Sequence, residues 1–78
     1  MKFRPLDSVV LKHDHDEYRL RTGDLGAVVE VYEPHGLEIE FVSASGRTEA
    51  LVTLSEDDVR AVGDHDLISV RPFGQQTA

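Results

Sequence analysis

The sequence predicts an all-β domain in which about five short antiparallel strands form one small closed sheet. Short β-branched or alternating runs are separated by loops rich in Gly and Pro, which is typical of antiparallel hairpins. The chain has 78 residues, so it has room for a single domain with a small core. Closing the sheet removes free strand edges, which matters in a domain of this size.

The first two predicted strands flank a long polar connection. Residues 8–12 form a short β-branched run, and residues 13–22 are mainly polar. Gly23-Asp24-Leu25-Gly26 has turn chemistry, because glycine adopts positive φ angles and Asp bonds its own backbone. Residues 27–33 are the strongest strand signal in the chain, and Pro34-His35-Gly36 ends it as a hairpin loop.

The next two strands follow as hairpins. In residues 37–42 the large apolar side chains alternate with Glu38 and Glu40, so we expect Leu37, Ile39 and Phe41 to face the core. Residues 44–47 form a second hairpin loop, and residues 48–54 form the fourth strand. The facing of this strand is open, because Ala50, Val52 and Leu54 compete with Leu51.

The end of the chain predicts a helical turn and a last strand. Ser55 begins an acidic run that favours a helix N-terminus, but only residues 59–62 follow before Gly63, so a single α or 3₁₀ turn fits. Residues 67–71 are predicted as the last strand and residues 72–78 as a loose tail. The predicted domain therefore spans 1–78, with its core at about 6–71. These elements fit an SH3-like barrel better than an OB-fold, which usually carries a proper helix between its third and fourth strands.

The charge balance argues against nucleic acid as a partner. The chain carries 8 Lys and Arg against 15 Asp and Glu, a formal net charge of −7. Nucleic-acid affinity comes largely from basic side chains that displace counterions. An acidic surface suits a basic protein partner, or simply solubility. The chain lacks cysteine and any apolar run of membrane-spanning length, and residues 1–11 lack a signal-peptide stretch, so we expect a cytoplasmic protein without disulfides or thiolate metal sites.

Chemistry-bearing patterns are sparse. His13 and His15, with acidic neighbours, are candidate ligands for Zn²⁺ or Ni²⁺, but a site needs three or four convergent ligands and only this local cluster is visible. No serine stands in a nucleophile-elbow context, and no Gly-rich loop precedes a helix. We therefore predict neither catalytic residues nor a cofactor or metal.

One strand indicates an interface. If Ala27, Val29 and Val31 face the core, then Val28 and Tyr32 need cover on the other side, where Val42 and Leu51 could join them. Either residues 67–73 or barrel curvature covers this patch, or it binds a protein. The candidate partner-binding residues are Tyr18, Arg19, Arg21, Val28, Tyr32 and Val42.

Several sequence blocks resemble known families. The spacing G-x-x-G-x-V from Gly23 to Val28 resembles the KOW motif of SH3-like barrels in ribosomal proteins and transcription factors. The wider set resembles the short bacterial proteins of the family called domain of unknown function 4926. This resemblance extends over about residues 6–71, implies an SH3-like barrel and supplies no catalytic residues. The blocks that carry it are residues 6–11, 23–26, 28–32, 40–42, 51–54 and 58–60.

These observations predict a non-enzymatic protein-interaction module, an accessory or regulatory partner of another protein. Its acidity and size also fit an antitoxin or immunity protein that occludes a basic toxin. A KOW-like domain that binds RNA or the ribosome is the alternative, and a small metal-binding protein is a third. We expect a monomer or a weak homodimer, no membrane, and a partner with a basic surface.

Overall fold

A computed structural model describes residues 2–74 and contains one five-stranded antiparallel sheet. The strand order across the sheet is β4-β3-β2-β1-β5, and the predicted all-β class with five strands is confirmed. Two 3₁₀ turns, Asp16–Tyr18 and Glu56–Asp58, are the helical elements among these residues. The strands are β1 (Ser8–Leu11), β2 (Leu25–Tyr32), β3 (Gly36–Val42), β4 (Thr48–Ser55) and β5 (Val59–Ala61).

The sheet is strongly curled. β4 and β5 are the two edge strands, yet only the turn Glu56–Asp58 separates them in the chain. In a flat sheet these strands would lie about 19 Å apart, whereas the link from Ser55 to Val59 spans at most about 15 Å. The two edges therefore approach each other at this turn, and the concave side of the curl encloses the core.

The core confirms the predicted facing of β3. Leu37 and Ile39 are fully buried and Phe41 is 4% exposed, while the glutamates between them point outward. The facing of β4, which its residues left open, is now determined, because Val52 and Leu54 are buried and Leu51 is exposed. The other buried members of the core are Phe3, Val9, Leu11, Leu20, Val28 and Val59, and Val31, Ala50 and Phe73 pack against it.

Gly26 has a packing role rather than a turn role. The turn before β2 places Gly23 at φ +92°, as its sequence predicts, but Gly26 lies within the strand and is buried. A Cβ on Gly26 would lie 2.6 Å from Ile39 Cγ2 and 2.8 Å from Phe41 Cε1. Glycine is needed here because these two β3 side chains occupy the space of its missing side chain.

A β-bulge in β2 overturns the facing proposed for that strand. Ala27 pairs with Glu40 and Val28 with Ile39, but the register then shifts, so that Glu30 pairs with Glu38. Val28 is fully buried and Val29 is 40% exposed, the opposite of the expected core set. An extra residue on one strand leaves two consecutive side chains on the same side of the sheet.

The turn after β4 begins at Ser55, where the sequence predicts it, and is a single 3₁₀ turn. The Ser55 hydroxyl accepts a hydrogen bond from the Asp57 amide at 3.1 Å, and the Asp58 carboxylate accepts one from the Ser55 amide at 2.9 Å. These bonds satisfy free amides at the start of the turn. The predicted single 3₁₀ turn is confirmed, and Val59–Ala61 follow it directly as β5 on the free edge of β1.

The prediction of a last strand at residues 67–71 is also wrong. β1 pairs with β2 on one side and with β5 on the other, so no edge of β1 remains for this segment. Residues 67–71 instead belong to an irregular segment, 63–73, that we call the C-terminal strap. Leu67 and Val70 in the strap are 94% and 96% exposed.

Ion pairs fix both ends of the strap. Near its start, Arg60 donates two hydrogen bonds to the Asp66 carboxylate, at 2.8 and 3.0 Å. Near its end, Arg71 donates to both oxygens of Asp24, at 2.9 and 2.6 Å. Phe73 then packs against the core. The predicted loose tail is therefore docked at Phe73, and its residues 75–78 lie outside the described residues.

The strap covers one part of the convex side of the sheet. Val10 points away from the core that Val9 and Leu11 enter, yet it is only 7% exposed. A cavity of about 130 Å³ remains between the strap and the sheet. Its walls are formed by Val10, Gly23, Leu25, Arg60, Asp66, Leu67, Ile68 and Ser69.

Candidate functional site

The outward side of β2, β3 and β4 combines exposed apolar side chains with carboxylates. The apolar members are between 40% and 54% exposed, and these three strands contain no Lys or Arg. Exposed apolar groups bordered by polar ones mark interaction sites more often than single scattered residues do. We call this surface the acidic outer face, and it consists of Val29, Tyr32, Val42 and Leu51 with Glu30, Glu38, Glu40 and Glu49.

Two carboxylates on this face oppose each other directly. The bulge turns both Val29 and Glu30 outward, and the register places Glu30 opposite Glu38 on the neighbouring strand. Like charges directly opposite each other in a sheet are destabilising. The register therefore keeps two like-charged residues opposite each other here, and such conflicts between local chemistry and fold concentrate at functional sites.

Local hydrogen bonds orient these carboxylates without adding a positive charge. The Tyr32 hydroxyl donates to Glu38 Oε1 at 3.3 Å, and the Val31 amide donates to Glu30 Oε1 at 3.3 Å. Desolvation, together with the neighbouring Glu38 and Glu30, raises the pKa of the Tyr32 phenol above its ordinary value. The phenol therefore stays protonated at neutral pH and remains a hydrogen-bond donor.

The middle of the face brings carboxylate and aliphatic groups together. Ala27, Glu40 and Leu51 occupy directly opposed positions on β2, β3 and β4. The Thr48 hydroxyl donates a hydrogen bond to Glu40 Oε2. An elongated cationic and aliphatic group can therefore contact a carboxylate and an apolar side chain at once.

The structure separates the six predicted partner-binding residues. Val28 is in the core, so its assignment to a partner surface is wrong, and the bulge is the reason. Tyr32 and Val42 do lie on the acidic outer face, but at its opposite ends. Tyr32 pairs with Gly36, and Val42 lies six residues further along β3, about 20 Å away.

The other three predicted residues lie elsewhere. Tyr18, Arg19 and Arg21 belong to the connection between β1 and β2, and all three are exposed. The Arg19 carbonyl accepts a hydrogen bond from Arg71 at 2.9 Å, and the Arg21 amide donates to Asp24 Oδ2 at 2.8 Å. This connection therefore anchors the strap.

The histidine cluster does not converge on a common point. His13 is exposed, while His15 Nε2 is buried and has no hydrogen-bond partner. The Asp14 carboxylate between them accepts hydrogen bonds from the Thr22 amide and hydroxyl, at 2.8 and 3.0 Å, and these bonds lower the pKa of Asp14. Within residues 2–74, no three His, Asp or Glu side chains lie close enough to hold a metal ion.

The carboxylates of the acidic outer face were not among the predicted partner-binding residues. The alternation in residues 37–42 assigns no function to Glu38 and Glu40, and the outward position of Val29 differs from the predicted facing of that strand. The alternation in β3 already showed that both glutamates share one side of the sheet. No pattern in β2 showed that Glu30 would oppose Glu38, because that pairing depends on the bulge.

A comparison with protein families places the chain. The model of the family described as Domain of unknown function (DUF4926) matches residues 6–61 of the 78. The chain belongs to this family. The resemblance to this DUF4926 family that we expected from the sequence blocks is thus confirmed.

The DUF4926 match includes all five strands and ends at the last residue of β5. The C-terminal strap of this DUF4926 chain therefore lies beyond the matched region. No curated protein and no solved structure matches the chain. Within residues 2–74, no helix is long and apolar enough to cross a membrane.

Proposed function

We propose that this DUF4926 domain is a non-enzymatic protein-interaction module whose acidic outer face binds a basic, partly apolar surface of another protein. The observation that carries the proposal is the opposed pair Glu30 and Glu38, on a face with exposed apolar side chains and no Lys or Arg in its strands.

The physical basis is charge complementarity added to apolar burial. A Lys or Arg of the partner placed between Glu30 and Glu38 replaces a repulsion by two attractions. Charge complementarity of this kind directs the encounter and the choice of partner more than it adds affinity. Half-exposed side chains such as Tyr32 and Leu51 supply the apolar contact area, and tyrosine is frequent among residues that dominate binding energy.

The proposal also covers the cellular compartment, the fold type and the role of the domain. We place the module in the cytoplasm, as an SH3-like barrel with a KOW-like segment, and as an accessory or regulatory component of another protein. A small acidic domain that covers a basic surface also fits an antitoxin or immunity protein. The net charge of −7 disfavours the alternative of RNA or ribosome binding.

The test separates binding from folding through one substitution. Glu30→Lys replaces a like-charge pair by an opposite-charge pair, so we expect the free energy of unfolding to rise by about 0.2–1 kcal/mol. The same change places a cation on the acidic outer face, so we expect capture of basic proteins from lysate of the native cell to fall at least about tenfold. Urea denaturation and quantitative capture measure the two effects.

Glu17→Lys is the matched control. Glu17 lies in the first 3₁₀ turn, is exposed, and undergoes the same change of charge away from the face. This variant should capture the partner as the wild type does. Equal capture by wild type and Glu30→Lys contradicts the proposal. RNA binding with micromolar affinity and a steep salt dependence would instead support the alternative.

A further inference from the structure

One edge of the sheet is long and unprotected. β4 pairs only with β3, and no backbone hydrogen bond from the rest of residues 2–74 reaches its other side. Native proteins shield edge strands by short length, proline, lysine or bulges. β5, the other edge, has three residues, whereas β4 has eight and contains no proline or lysine.

Most of β4 has a regular backbone register, which an added strand needs for pairing. Its irregularity lies near Thr48, and from Ala50 to Ser55 the strand pairs with β3 without interruption. The Ser55 amide already donates to Asp58. The N–H and C=O groups that face outward between Ala50 and Leu54 form a template for another strand. A strand added here lies about 4.8 Å from β4 and continues the sheet.

The side chains along this edge specify the chemistry of such a strand. Glu49 and Leu51 point to the outer side of β4, and Glu40 lies opposite Leu51 on β3. Outward side chains of an added strand would therefore lie beside one carboxylate and one exposed aliphatic group. Glu40 would lie two strands away, at about 10 Å, within reach of a long Lys or Arg side chain. A strand in which Lys or Arg alternates with smaller aliphatic residues would form ion pairs with these carboxylates and apolar contacts with Leu51.

The charges also decide between a second copy and a different protein. Two copies joined along β4 would bring together two faces that each contain four glutamates and no Lys or Arg in their strands. Each copy also carries a net charge of −7. The resulting repulsion opposes a dimer through this edge, whereas a basic strand removes it.

We propose that β4 binds an extended, basic segment of the partner protein as a sixth strand of the sheet. This inference rests on the proposed function and adds its binding mode. Backbone hydrogen bonds to β4 provide affinity, and the carboxylates of the acidic outer face select basic residues at alternate positions.

The probe is a synthetic nine-residue peptide in which Lys alternates with Val, acetylated and amidated at its ends. Two further peptides carry N-methyl groups, one at every Lys and the other at every Val. Each N-methylated peptide keeps its charges and side chains but loses the hydrogen-bond donors along one edge. Isothermal titration calorimetry measures binding to the full chain at low salt.

Strand addition predicts an unequal result. The peptide whose methylated edge faces β4 should bind at least about tenfold more weakly, because two or more backbone hydrogen bonds are lost. The other peptide should bind within about twofold of the parent. Amides of β4 should also exchange more slowly with solvent when the parent peptide is bound.

A matched pair of protein variants locates the site. Leu51→Lys places a cation beside the proposed strand and should weaken the parent peptide at least about tenfold. Leu67→Lys makes the same change on the strap, where the side chain is 94% exposed, and should bind as the wild type does.

Equal affinity of the two N-methylated peptides overturns strand addition, and so does failure of the parent peptide to bind. Neither result decides the proposed function, which depends on the separate capture experiment with Glu30→Lys. If Glu30→Lys reduces capture while the two methylated peptides bind alike, the face binds a basic protein without an added strand.

Discussion

Substitution of Gly26 tests the packing between β2 and β3. A Cβ at this position would lie 2.6 Å from Ile39 Cγ2 and 2.8 Å from Phe41 Cε1. Non-bonded carbon atoms prefer separations of about 3.5–4.0 Å. Gly26→Ala therefore requires β2 and β3 to separate by roughly 1 Å at this point. The surrounding core is closely packed, so this displacement disturbs other contacts.

The expected loss of stability follows from two opposing effects. Overpacking a core by one methyl group costs about 1–3 kcal/mol. Replacing glycine by alanine restricts the unfolded chain, which returns about 0.4–1 kcal/mol. The net effect of Gly26→Ala is a loss of about 1–2 kcal/mol, and in a domain of this size the Tm falls by about 5–15 °C.

A double-mutant cycle identifies the cause. Phe41→Leu removes the ring atoms that a new Cβ would meet, so the double variant should lose at least about 0.5 kcal/mol less than the sum of the single losses. Gly46→Ala is the control, because Gly46 has φ +86° and no atom within 4 Å of an added Cβ. Its loss should arise from backbone strain and should not respond to Phe41→Leu. Additive losses at Gly26 and Phe41 in urea denaturation would refute this account.

Three further predictions follow from the contacts described. Phe41→Ala should reduce the free energy of unfolding by about 3–5 kcal/mol, and an unchanged denaturation midpoint would mean that the ring is not in the core. Arg71→Ala removes the pair with Asp24, so proteolytic cleavage within the strap should accelerate at least about tenfold while the five strands stay intact; equal cleavage rates would contradict anchoring by Arg71. Hydrogen bonds from Arg60 and from the Gly63 amide lower the pKa of Asp66 from 3.8 to about 2. Because the folded pKa lies below the unfolded one, this stabilisation is present above about pH 4 and is lost as the pH falls through about 2. The pH dependence of stability should therefore be shallower in Asp66→Asn over that interval, and identical slopes would contradict the assignment.

The sequence predicted β3 in full because its pattern has a single solution. Leu37, Ile39 and Phe41 alternate with glutamates, and only one facing of the strand buries all three apolar side chains. The loops on either side also fit hairpins. The 3₁₀ turn after β4 followed from similar local signals, whereas the fifth strand lies at Val59–Ala61 and not at residues 67–71.

The facing of β2 could not be predicted from its residues. A run in which Val28, Val29 and Val31 are all apolar fits either facing, and a single extra residue reverses the choice partway along. The decision comes from β3, since Gly26 and Val28 must meet Ile39 and Phe41. These contacts join separate strands, so the residues of β2 alone do not reveal them. The same contacts determine that the candidate site residue Val28 is buried.

The last strand was misplaced for a related reason. Residues 67–71 have higher strand propensity than Val59–Ala61, so local preference favoured the wrong segment. The three-residue turn after β4 places Val59 directly beside the free edge of β1. Because β5 then occupies this edge, residues 67–71 cannot pair there. The ion pair between Arg71 and Asp24, 47 positions apart, could not be read from the spacing of either residue.

The bulge in β2 makes Val29 a surplus residue. Without it, the succession Gly26, Ala27, Val28, Glu30, Val31, Tyr32 would alternate between inside and outside without a break, and the residues from Ala27 onward would keep their present partners on β3. The insertion therefore adds one hydrophobic group to the exterior and leaves the interior unaltered. In this small fold the composition of the exposed surface can change independently of the residues that hold the domain together.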